Sequence, residues 1–93
     1  MLSPSTFIKK ADHQVSCELD GEVVILDLKT SVYFGLNRVG AAIWEALNEP
    51  KTAADICTVI YEKYDVDESQ CQEDVIDLLS NLENVGLIDI VDN

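Results

Sequence analysis

An α+β fold, a small antiparallel sheet followed by three helices and a short closing strand, is what this sequence predicts, and three observations predict it. Asp20-Gly21 stands between two runs rich in apolar and β-branched residues, Val15–Leu19 and Glu22–Leu28. A pair of this type accepts the positive φ angles of a type I′ turn, whose twist suits a hairpin. Three later stretches switch to helical spacing, each behind a residue able to cap a helix, namely Asn37, Thr52 and Asp67. Gly86 follows the last of them, where helices often end in a left-handed residue, and Leu87-Ile88-Asp89-Ile90-Val91 then reads as the closing strand.

Residues 1–13 contain Ser3-Pro4-Ser5-Thr6 and no sustained periodicity. They are expected to form an irregular arm, with at most one short strand through Thr6-Phe7-Ile8, before a single domain over 14–93. The run Val23, Val24, Ile25, Leu26 and Leu28 is nearly continuous, which predicts a central strand buried on both faces. Lys29-Thr30-Ser31 supplies a second turn, and Val32–Leu36 a third strand at an open edge, where Gly35 interrupts the side-chain row and another backbone has room to approach. In the first helix Val39, Ala42, Ile43, Ala46 and Leu47 form the apolar stripe, and Trp44 falls off it. Ala53, Ile56, Cys57, Ile60, Tyr61 and Tyr64 mark the second, behind the capping box Thr52-Ala53-Ala54-Asp55. The third, from about Asp67 to Val85, carries Cys71, Val75, Leu78, Leu82 and Val85 on one stripe, with Leu79 at its margin and Ile76 beyond it.

Composition removes several function classes. Ninety-three residues bury too little surface for a deep substrate cavity. Cys17, Cys57 and Cys71 offer neither a disulfide framework nor a metal knuckle, so they are expected to be reduced thiols, and neither a metal nor another cofactor is implied. A nucleophilic cysteine would want a base, and the one histidine, His13, stands in a polar segment before the first strand, where it reads as a solvated loop residue. The formal net charge is −12, with only Lys9, Lys10, Lys29, Arg38, Lys51 and Lys63 as cations and nine of the 18 acids after Lys63. Phosphate backbones and anionic lipid are poor partners for such a surface; a basic or neutral one suits it. No apolar run is long enough to span a membrane, and no signal peptide is evident, so the expectation is a cytoplasmic, monomeric protein.

The order of elements is that of a winged helix-turn-helix, and specific residues point to a family. They are Asp20-Gly21-Glu22-Val23-Val24, Leu26-Asp27, Tyr33-Phe34-Gly35-Leu36-Asn37, Val39-Gly40, Ile43-Trp44, Thr52 with Ile56, Tyr64-x-Val66, and Leu79-x-x-Leu82 leading to Gly86-Leu87-Ile88. With these the chain resembles the PqqD-like proteins, recognition domains for the leader segments of ribosomally made, post-translationally modified peptides. Quinone-pathway members usually carry a Tyr-Pro-Glu-like turn where this chain has Tyr33-Phe34-Gly35. The resemblance is therefore to the free-standing leader-binding component of lasso-peptide assembly, and it implies a separate leader peptidase and an ATP-dependent cyclase as partners.

An extended leader adding to the third strand would gain backbone hydrogen bonds from Val32, Tyr33, Phe34, Gly35 and Leu36. Ile76 and Leu79, with Leu78 or Leu82 at the floor, would form a helical wall, Val75 at the centre of the stripe counts with them among the peptide-binding residues, and Asp74 and Asp77, with Glu73 nearby, would favour Lys or Arg in the peptide. Two other readings compete. A scaffold between biosynthetic enzymes fits the same features, whereas a winged-helix transcription regulator would need cations on the third helix, which has none.

Overall fold

The computed structural model describes residues 2–91, and among them the chain order is β1 (Phe7–Lys10), β2 (Gln14–Leu19), β3 (Glu22–Asp27), β4 (Tyr33–Leu36), α1 (Arg38–Ala46), β5 (Lys51–Thr52), α2 (Ala53–Lys63), α3 (Glu68–Asn84) and β6 (Ile88–Ile90). The hairpin turn forms as its residue types demand. Asp20 and Gly21 both have positive φ, 54° and 83°, and they set β2 against β3 with Leu19 opposite Glu22 and Gln14 opposite Asp27. β4 pairs antiparallel with the other side of β3, giving the order β2-β3-β4.

The three caps act as their residue types imply. The Asn37 side chain accepts from the Gly40 N–H, Thr52 and Asp55 close a reciprocal capping box, and Asp67 accepts from the Gln70 N–H. Gly86 takes φ 84° behind α3. An L residue would be strained there, which fixes glycine as the helix terminator.

The N-terminal stretch forms the short strand allowed for near Thr6-Phe7-Ile8, at Phe7–Lys10, but that strand is built into the fold and is no irregular arm. β1 is the middle strand of a second sheet, β5-β1-β6, with Ile8 opposite Ile90 on one side and Lys51 on the other. Ile8 is fully buried and Leu2 and Ala11 nearly so. Four residues with one apolar anchor give no readable period; the two partner strands, each distant in sequence, impose the extended form.

The core lies between the inner face of the β2-β3-β4 sheet and the helices. Ile8, Ile25, Ile43, Trp44, Leu47, Ile56, Ile60, Leu79 and Leu87 are its largest fully enclosed side chains, each worth about 2 kcal/mol of burial. Two expectations change here. Trp44, off the predicted stripe, is almost completely buried, because α1 is covered on several sides at once: Gly40 through Trp44 are all enclosed. Its indole Nε1 donates to Ser16 Oγ at 3.2 Å and Lys10 Nζ stands 4.7 Å from the ring centre. β3 is enclosed on one face only. Val23 and Ile25 are buried, whereas Val24 and Leu26 on the opposite face are half-buried, since the helices pack on a single side of the sheet.

Candidate functional site

An open strand edge is the first component of the site. Among the described residues β4 has β3 as its one neighbour, and the ladder shows which of its groups stay unpaired. The Asp27 N–H donates to Val32 O at 3.0 Å, so in the register Val23↔Leu36 and Ile25↔Phe34 the bonded pairs are those containing Phe34 and Leu36. Tyr33 and Gly35 therefore turn their N–H and C=O groups to the free side. Side chains alternate accordingly. Phe34 and Leu36 face inward with Ile25 and Val23, while Tyr33, 69% exposed, and Gly35 face outward.

The second component is the C-terminal half of α3. A Cβ placed on Gly40 would lie 3.2 Å from Leu36 Cβ and 3.5 Å from Leu78 Cδ2, so the end of β4 and the first turn of α1 close on α3 at Leu78. At the other end, Gly86 is next to His13, whose Nε2 is 4.0 Å from Asp27 Oδ1 at the foot of β4. From Leu78 to Gly86 a helix rises about 12 Å, and from Leu36 back to Val32 a strand covers about 13 Å. α3 thus lies toward the Leu36 end of β4 at Leu78, through Gly40, and toward its Val32 end at Gly86, through His13 and Asp27.

This arrangement redistributes the expected site residues. Val75, Leu79 and Leu82 are core residues, at 1%, 0% and 3% exposure, with no surface to offer a peptide in this conformation. Ile76 stands about 160° round the helix from Leu78. It lines a shallow depression with Leu2, Pro4, Glu73 and Asp77, on the far flank from β4. Leu78, half-buried, remains beside the strand, and the same flank carries Asp74, Asn81 and Val85. Asp74 accepts from Gln70 Nε2 at 3.0 Å. Asn81 and Val85, the latter 41% exposed, were not among the expected site residues. The helical wheel contained them, but nothing in the sequence says which flank of α3 meets β4.

Asp27 supports the strand from below. It is the buried acid of the core, 3% exposed, and its Oδ1 accepts from the backbone N–H groups of Lys29 at 2.9 Å and Thr30 at 3.4 Å. The Lys29 bond above all, aided by Thr30 and His13 and opposed by burial, holds its carboxyl below the usual value. The turn that starts β4 is thus fastened to a charge.

A recess of about 260 Å³ between α2 and α3 is lined by Cys57, Tyr61, Glu68 and Cys71. Burial pushes both thiols up, which keeps them protonated and weakly nucleophilic. Among the described residues no group of three or more His, Cys, Asp or Glu side chains could hold a metal ion, and no helix is long and apolar enough to cross a membrane.

An α+β domain with a free aromatic strand beside a helix is the kind of scaffold that binds extended peptides. Residues 22–88 match the family described as coenzyme PQQ synthesis protein D (PqqD), and the chain belongs to that family. Among solved structures it is similar to TbiB1 in complex with the TbiA(beta) leader peptide, at 39% identity over 91% of this chain and 99% of that one, with a TM-score of 0.82. A lasso peptide synthetase B1 complexed with the leader peptide shares the fold, at 22% identity over 88% of this chain and 96% of that one and a TM-score of 0.77. No curated protein matches the sequence.

Proposed function

We propose that this chain is a recognition element that captures the leader segment of a ribosomally made precursor, of the lasso-peptide kind, and presents it to modifying enzymes without catalysing a step itself. The observation that carries this reading is the likeness to TbiB1 over nearly the full length of both chains, TbiB1 being a leader-bound protein. The free edge of β4 supports it physically. Tyr33 and Gly35 would pair with the leader backbone, Val32, Phe34 and Leu36 would support the sheet side, and Leu78 with Val85, Asn81 and Asp74 would form the helical side. The recognition surface ends there. Cleavage and ring closure would belong to a separate leader peptidase and an ATP-dependent cyclase, acting with this chain in the cytoplasm.

Titration with the TbiA(beta) leader peptide, followed by amide chemical shifts, tests the reading. The expected result is micromolar or tighter binding, with the largest shifts at residues 32–36 and 78–85. Shifts confined to α2 and the β2–β3 hairpin would place the peptide elsewhere.

A further inference from the structure

Gly35 is unexplained by its own strand. Its φ is not positive, and a Cβ built on it meets nothing within 4 Å, so neither backbone conformation nor crowding asks for glycine. Glycine also weakens a strand by its entropy and its missing side chain. The property left to account for is the gap itself.

The register locates that gap. Across the outward face of the sheet, Cys17, Val24 and Gly35 form one row and Val15, Leu26 and Tyr33 the next. Val24 is half-buried and has an open place beside it where the side chain of residue 35 would stand. Tyr33 borders the same place two residues along β4. A strand added to β4 must bond to the free backbone groups of Tyr33 and Gly35. The peptide residue directly opposite Gly35 then projects its side chain onto this outward face, where cross-strand neighbours normally touch and here one partner is missing.

We propose that the gap over Gly35 is a side-chain subsite that takes one large apolar or aromatic residue of the bound peptide. The proposal rests on the strand-addition reading and adds a second determinant to it, on the face of the sheet away from α3. The incoming side chain leans across Gly35, covers Val24 and packs along the Tyr33 ring. An aromatic residue placed across from a strand glycine shields exposed backbone in the same way. The peptide residue opposite Tyr33 meets a filled position and has no such preference for bulk.

A displayed library of the TbiA(beta) leader peptide, each position varied singly, tests the subsite against the wild-type chain, Gly35→Ala, Gly35→Val and Phe34→Ala. Wild type is expected to select a large apolar residue at one position. Gly35→Val is expected to select a small residue at that same position and to bind the wild-type choice about tenfold more weakly, with Gly35→Ala in between. The thermal midpoints of both Gly35 variants are expected to hold or rise, because an added Cβ meets no atom. Unchanged preferences and affinity in Gly35→Val, together with weakened binding in Phe34→Ala, would overturn the subsite and leave strand addition standing. If the wild-type chain retains no member of the library, strand addition fails, and the subsite with it.

Discussion

Asp27 and Ser31 show how much of β4 depends on single residues in the turn before it. Ser31 has φ 62°, and its N–H donates to Asp27 O at 2.8 Å. A left-handed conformation costs a residue with a Cβ about 1–2 kcal/mol, so Ser31→Gly is expected to raise stability by up to about 1 kcal/mol, read as a higher denaturant midpoint at constant slope. Asp27 predicts a pH dependence. Its folded value lies below the ordinary 3.8, so its contribution is complete above that value and is lost as pH falls through the depressed folded value. Asn at this position can still accept from Lys29 and Thr30 but carries no charge. Asp27→Asn is therefore expected to be less stable than wild type at neutral pH, with the difference narrowing below about pH 3.8, as followed by circular dichroism during acid titration. A constant difference down to pH 2 would mean that the charge on Asp27 does not stabilise the turn.

Elements repeat the lesson at larger size, with α3 as the clearest case. Leu79→Ala removes a fully enclosed side chain and is expected to cost about 3 kcal/mol, whereas Leu78→Ala, at the half-buried edge, costs less in stability and more in leader affinity. Ile76→Ala is expected to leave affinity unchanged, because the side chain lines the depression beside Leu2 and Pro4. Paired thermal melts and peptide titrations on the three variants separate these outcomes. The caps of all three helices, the Asp20-Gly21 hairpin, the central place of β3 and the edge position of β4 were legible in the sequence, since each rests on contacts only a few residues apart or on a short unambiguous run. The second sheet was not, because β1 pairs with β5 and β6, more than forty residues away. For the same reason a wheel separates the faces of α3 but cannot assign them: Leu79 at the margin became core and Ile76 went to the opposite flank from β4. Trp44 escapes the one-stripe rule, which assumes a helix packed on one side, because α1 is enclosed on several.

At the scale of the whole molecule, the −12 charge acts on folding and on binding with opposite dependence on salt. Eighteen acids and six cations repel one another on balance, and compaction brings them closer, so screening relieves the folded state. Raising sodium chloride from 0.05 to 0.5 M is expected to raise the thermal midpoint. The same salt is expected to weaken binding of a leader that carries Lys or Arg near Asp74. The effect is modest, a few-fold in Kd, since an exposed pair is worth about 0–1 kcal/mol and the screening length falls to a few ångströms over this range. Asp74→Lys combined with Asp77→Lys makes the two effects separable. It cuts the net negative charge by four, from −12 to −8, which favours stability, while it removes one acid from the proposed groove and another from the far flank of α3. A basic leader is therefore expected to bind the double variant more weakly, with less salt dependence, even as the fold melts higher. Affinity that stays constant across the salt series in both proteins, with both midpoints rising, would confine the acids to solvation and leave the strand edge and its apolar neighbours to hold the peptide.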